Sequence, residues 1–200
     1  MNREEYLKKV TVGGPSLLNS QIELSEYDPA WPEIFKAEKE KISAALGDRA
    51  KRIEHVGSTS VPGLCAKPII DILLLVEDSN DECYKAPLEA AGYIFRIREP
   101  DWYAHRMFKG NNPAVNLHVF SEGCEEAGRM LLFRDWLRKN GTDSELYAAA
   151  KKELSQKVWK YVQNYADAKT AVVREIMAHA EAEQRKSQAA KAAENTEEAF

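Results

Sequence analysis

The chain has 200 residues, 44% of them hydrophobic, which suits one globular domain with a core of its own. Its 28 Lys and Arg against 32 Asp and Glu give a net charge of −4, which argues against broad electrostatic binding to nucleic acid. No apolar run reaches about 18 residues, so no membrane-spanning helix is expected.

Residues 1–21 show little apolar periodicity and are interrupted by Gly13-Gly14-Pro15, so a loose arm with at most one helical turn is expected there. The first residues are charged and lack the apolar stretch of a signal peptide. Cys65, Cys83 and Cys124 are widely spaced and odd in number, which suits a reducing cytoplasm and packing roles. Ile22, Leu24 and Tyr27 suggest a short strand that ends at Asp28-Pro29. A helix is predicted over 30–46, with Pro32 in its first turn, Gly47 just past its end, and Trp31, Ile34, Phe35 and Ile42 along one stripe.

Arg52 to Val56 reads as a short strand running into Gly57-Ser58, and Ile69 to Val76 as a strand buried on both faces. The small-residue turn can bring backbone N–H groups close to a phosphate, and hydroxyls at Ser58, Thr59 and Ser60 add donors. Asp71 is the sole charge in the second strand, where desolvation costs several kcal/mol unless a cation or donors compensate it. A backbone-capping role for Asp71 stands beside the functional one.

A helix is expected near 80–91, then strands over 93–98, 103–109 and 114–120, the last two joined at Asn111-Asn112-Pro113. Helices follow over 124–139, 142–163 and 167–186, and the charged tail 181–200 offers little to bury, so frayed helix or disorder is expected there. This order describes an α+β fold, a mixed β-sheet with helices packed on it and a helical C-terminal part. The main domain is predicted over 22–180. Trp31, Trp136 and Trp159 are assigned to the core, and Trp102 to a site-lining turn.

The run HVGSTSVPGLCAKPIIDI at 55–72 resembles the signature of the GrpB family. EYDPAW at 26–31, LHVF at 117–120 and LLFRDWLR at 131–138 support the resemblance, with Tyr147/Lys151 and Tyr165/Lys169. It extends over about 22–178. The resemblance implies a nucleotidyltransferase-like fold, in which a Gly-Ser turn holds nucleotide phosphates and an Asp-x-Asp strand holds divalent metal. Gly57 and Ser58 match the turn, and Asp71 matches the first aspartate and so a Mg²⁺ ligand. The chain departs from the pattern at Leu73, where the second acid would stand, and one carboxylate supports two metal ions poorly.

The resemblance implies a nucleotide or phosphorylated small molecule as ligand, with nucleotidyl or phosphoryl transfer as the activity. GrpB-like domains fused to dephospho-CoA kinase point toward coenzyme A metabolism. The alternatives are a binding module without catalysis and a protein-interaction or folding-accessory role. His118, with Asn116 on its face, reads as a metal or phosphate ligand or general base, or as a core histidine. His55 is expected to brace the turn. Lys67 faces Asp71, a phosphate or solvent. Arg106, Arg134 and Arg138 form an anion-binding wall, or Arg134 a structural pair with Asp135. Lys151 and Lys169, each four residues after a tyrosine, read as phosphate contacts beside a stacking ring, or as snorkelling lysines.

Overall fold

The computed structural model describes residues 2–197, with side chains described up to 191. Its centre is a five-stranded mixed sheet ordered β1-β2-β5-β4-β3. The strands are β1 Arg52–Val56, β2 Ile70–Val76, β3 Ile94–Glu99, β4 His105–Asn111 and β5 Ala114–Ser121. The central pair β2–β5 is parallel, and the other three pairings are antiparallel.

Because side chains alternate along a strand, the sheet has two distinct faces. One face carries Ile70, Ile72, Leu74, Phe108, Leu117 and Val119 and is covered by α2 (Trp31–Leu46) and α3 (Lys85–Ala90). Pro32 at the start of α2 and Gly47 at its end bracket the helix as expected. The opposite face carries Asp71, Leu73 and Leu75 on β2, in register with Asn116, His118 and Phe120 on β5. There α4 (Glu125–Lys139) covers Leu73, Leu75 and Phe120 through Ala127, Met130 and Leu131. It leaves the Asp71 end of the face uncovered. A third cluster joins Val61 and Leu64, after the Gly-Ser turn, to Leu137 of α4, Tyr147 of α5 (Gly141–Ser155) and Ile176 of α7 (Thr170–Glu197).

Several elements depart from the expectations, each for a local reason. The arm expected to be loose contains a capped helix, α1 (Arg3–Val10), with Asn2 and Glu5 forming a capping box. Leu7 and Val10 of α1 are buried, and Thr11 bridges Ile97 of β3. The segment 22–27 joins no sheet; it is held by single bridges from Ser20 to Trp159 and from Ser25 to Ala66. β4 begins at His105 because 101–104 form a turn in which Tyr103 and Ala104 take positive φ. The long helix expected over 142–163 stops at Ser155, and α6 (Val162–Ala168) and α7 follow. α7 carries the charged tail on as helix through Glu197, and 198–200 lie outside the described residues. Trp31 is buried, whereas Trp136 and Trp159 are only half-buried. Cys65 is buried and Cys124 is half-buried against the cluster under α4, so packing accounts for these two; Cys83 is exposed. No described helix is long and apolar enough to cross a membrane.

Because Leu7 is 6% exposed, Leu7→Ala is expected to destabilise the protein by about 2 kcal/mol or more in urea unfolding. An unchanged midpoint would mean that α1 is not docked on β3.

Candidate functional site

The exposed end of the second sheet face opens on a cavity of about 420 Å³. Its floor is Asp71 of β2, Asn116 and His118 of β5, and Met107 and Lys109 of β4, all on one face by strand alternation. The Gly57-Ser58-Thr59 turn and Lys67 form one side. α6 and the residue after it supply Tyr165 and Lys169, α5 supplies Lys151, and the arm supplies Leu7, Thr11, Pro15 and Ser16.

Gly57 is obligatory for this geometry. Its φ is +68°, and a Cβ there would strike the Asp71 carboxylate and lie 2.9 Å from its Cβ. The carboxylate accepts a hydrogen bond from Asn116 Nδ2 at 2.9 Å, and His118 Nε2 lies 3.8 Å from its Oδ1. Burial alone would raise the Asp71 carboxyl, but contact with His118 and Asn116 and the charge of Lys67 outweigh it and hold it below the ordinary range. His118 in turn receives support from behind. Its Nδ1 is 3.1 Å from His105 Nε2, and His105 Nδ1 is 2.7 Å from Glu99 Oε2. Tyr6 of α1 donates to the other Glu99 oxygen at 2.5 Å. A chain of contacts therefore runs from the arm to the cavity floor.

The cavity is strongly cationic although the chain is acidic. Lys67, Arg96, Lys109, Lys151 and Lys169 line it, and Asp71 is the one carboxylate among its lining residues. Tyrosine rings separate the lysines: Lys67 and Lys169 lie 5.6 Å and 5.0 Å from the Tyr165 ring centroid, and Lys151 lies 4.8 Å from that of Tyr147. Burial pushes the Lys67 amine down to about 8, with the charge of Lys169 adding to the effect. The Tyr165 ring is 1% exposed, and among the described residues its hydroxyl is the buried side-chain polar atom left without a partner.

Several expected contacts are built differently. Arg106 is 3% exposed and lies on the other face of β4, where it pairs with Glu82 at 2.9 Å and with backbone carbonyls; it is not in the cavity. Arg134 is 7% exposed and bridges Glu54 and Asp135, both at 2.8 Å, and the His55 carbonyl, so its role is structural. Arg138 donates twice to the Ser60 carbonyl, at 3.0 and 2.8 Å. Ser60 spends its hydroxyl on the Gly57 carbonyl at 2.6 Å and does not line the cavity. Thr59 lines it, but its hydroxyl is taken by His55 at 3.0 Å and the Ile69 carbonyl at 3.3 Å. Trp102 lies outside the lining and packs edge-on against His105 and Phe120. Gly57, Ser58, Lys67, Asp71, His118, Lys151 and Lys169 do converge. Lys109, Arg96 and the His105–Glu99 support were missed; the two-residue spacing of Met107, Lys109, Asn116 and His118 around the hairpin carried part of that signal.

The protein side chains alone do not form a closed magnesium cage; Asp71 is the one carboxylate the cavity offers to such an ion. No group of three or more His, Cys, Asp or Glu side chains fit to hold a metal occurs among the described residues. Leu73 is fully buried under α4 rather than open to the cavity. The other charged residues lining the cavity are cations.

Burial depresses the His55 imidazole to about 4, against an ordinary value near 6.5. Between those values the unfolded chain binds the proton and the folded one does not, so this residue's contribution to stability is full above about 6.5 and is lost as pH falls toward 4. His55→Gln is expected to flatten the loss of stability over that window in urea unfolding. An unaltered slope would mean that His55 protonates without unfolding.

The GrpB protein family matches residues 21–179. A UPF0157 protein of Halalkalibacterium halodurans is 57% identical over 180 residues, covering 90% of this chain and 92% of that protein. The crystal structure of a conserved GrpB protein from Enterococcus faecalis superposes with a TM-score of 0.70 at 32% identity, covering 79% of this chain and 96% of the other. More distantly, a protein of Mycolicibacterium paratuberculosis named dephospho-CoA kinase is 29% identical over 170 residues, which span 70% of this chain and 41% of that protein. With the family match running over most of its length and every cavity residue beyond the arm inside that match, the chain belongs to the GrpB family.

Proposed function

We propose that the cavity binds a small phosphorylated ligand, with a nucleotide as the leading class. The observation that carries this reading is the convergence of four cations, Lys67, Arg96, Lys109 and Lys169, around one carboxylate in a chain of net charge −4. Lys67, Lys109, Lys169 and Arg96 supply the phosphate contacts; Arg96 also donates to the Gly14 carbonyl at 3.2 Å, and none of the four has a carboxylate partner among the described ion pairs. The unpartnered Tyr165 hydroxyl adds a donor in the same wall. The Tyr165 ring is enclosed, so it packs under the lysines rather than stacking on a base. The nucleotidyltransferase-like fold that the GrpB resemblance implies, with the Gly57-Ser58 turn, supports a nucleoside phosphate. The relative named dephospho-CoA kinase supports including coenzyme A precursors among the ligands tried.

Binding of this kind rests on protein cations and does not call for Mg²⁺. Sodium triphosphate is expected to bind in calorimetry with an affinity that falls as salt rises, and to bind equally well with EDTA present. Lys67→Ala and Lys169→Ala are each expected to weaken it by about ten- to a hundredfold, in line with the loss of a charge-assisted hydrogen bond of about 1.5–3 kcal/mol. Failure of triphosphate to bind, or full affinity in both variants, would remove the phosphate reading.

A second reading, phosphoryl or nucleotidyl transfer, is favoured by the Glu99–His105–His118 chain. Such a chain fixes an imidazole's orientation and steadies the positive charge it acquires on accepting a proton. His118, beside Asp71, would then take the proton of an acceptor hydroxyl. The two readings separate at Asp71→Asn. If the cavity only binds, removing its one negative charge leaves triphosphate affinity equal or higher; if it also transfers, binding survives and turnover of a nucleoside triphosphate, followed by phosphate release, is lost.

A further inference from the structure

Lys151 is set apart from the other cavity lysines. It is 2% exposed and has no carboxylate partner among the described ion pairs, so its ammonium form has neither water nor a counter-ion. Its Nζ lies 3.0 Å from Ser58 Oγ and donates to the Cys65 carbonyl. Ser58 opens the short helical turn 58–60 and lines the cavity, and among the described residues its hydroxyl has no side-chain hydrogen-bond partner other than Lys151. In the structure Nζ donates to both oxygens; once neutral, the amine keeps one N–H on Cys65 and can accept the Ser58 hydroxyl proton at the same 3.0 Å. Burial pushes the Lys151 amine down to about 7; Cys65 opposes the shift, and the nearby charges of Lys169 and Lys152 add to it.

A nucleophilic hydroxyl, a base within hydrogen-bond reach and a third group that orients the base are the components of an activated serine. Serine–lysine pairs of this kind recur on unrelated folds. We propose that Ser58 and Lys151 form a nucleophile–base pair that cleaves small activated esters carrying an anionic group. This goes beyond the phosphate-binding reading, which uses Lys67, Lys109, Lys169 and Arg96 and needs no covalent step. Lys151 Nζ takes the Ser58 proton as Oγ bonds to the ester carbonyl carbon. The carbon–oxygen bond to the leaving group then breaks, and the departing alkoxide takes the proton from Lys151. Water repeats the sequence, releases the carboxylate and restores the Ser58 hydroxyl. Lys67 and Lys169, in the same wall, hold the anionic group of the ester.

The test uses the full chain and a fluorophosphonate, which reports the same attack: the Oγ–P bond forms, the P–F bond breaks, and fluoride leaves with the serine proton passing to Lys151. Intact-mass and peptide analysis are expected to show one adduct, at Ser58, whose rate of formation rises as pH passes through neutrality. Ser58→Ala abolishes it. Lys151→Met slows it at least tenfold, while its thermal unfolding shows that the variant is folded; p-nitrophenyl acetate turnover falls in parallel. No adduct, an adduct elsewhere, or an undiminished rate in Lys151→Met would overturn the pair. Mapping the adduct in the unaltered protein decides the matter even if Ser58→Ala fails to fold. Triphosphate binding measured on the same samples keeps failure of this pair distinct from failure of the phosphate site.

Discussion

The fold is arranged around a carboxylate in a central strand. Asp71 sits where β2 and β5 run parallel, and its presence there is costly unless donors and cations surround it. Asn116, in register across the strand pair, supplies the donor, and His118 two residues on supplies the imidazole. The chain must also pass directly over the carboxylate at residue 57, where the approach leaves no room for a side chain. The turn that follows, the cations and the uncovered patch of sheet all take their positions from this one placement. α4 completes it by sealing the neighbouring positions, so that Leu73 belongs to the core although it shares a face with Asp71.

Much of this was legible in the sequence. The brackets of α2, the two strands flanking the Gly-Ser turn and the isolation of Asp71 follow from local chemistry, and the structure arranges them as an α+β mixed sheet. What local pattern does not carry is the partner of each charge. Arg106 and Lys109 both lie on β4, yet strand parity sends one to Glu82 and the other to the cavity. Reading that parity needs the register of β4 on β5, a property of the folded hairpin. Arg134 illustrates the same limit: Asp135 is visible beside it in sequence, while Glu54, 80 residues away, is not. Ser60 and Thr59 look like phosphate donors in the motif, but a tight turn consumes their hydroxyls to hold itself in shape.

The lysines divide by environment rather than by residue type. Lys67 and Lys169 stand against the Tyr165 ring, where a charge is welcomed by the aromatic face. Lys151 is walled in by Tyr147, the Cys65 carbonyl and Ser58. The same side chain is thereby suited to holding an anion in one case and to handling a proton in the other.

The arm gives the molecule an unusual division of labour. It lies before the stretch that matches the family, yet it furnishes one side of the cavity and is anchored at two separate places. Arg3 grips Asp167 of α6 through paired 2.7 Å contacts, while Tyr6 reaches Glu99 at the end of β3 and Lys9 reaches Asp101 in the turn after it. The scaffold that carries the reactive groups and the boundary that sets the room available to a ligand are thus encoded in separate stretches of chain. Substitutions at Leu7, Thr11, Pro15 or Ser16 can therefore change the room open to a ligand while leaving the strands that carry Asp71 and His118 as they are.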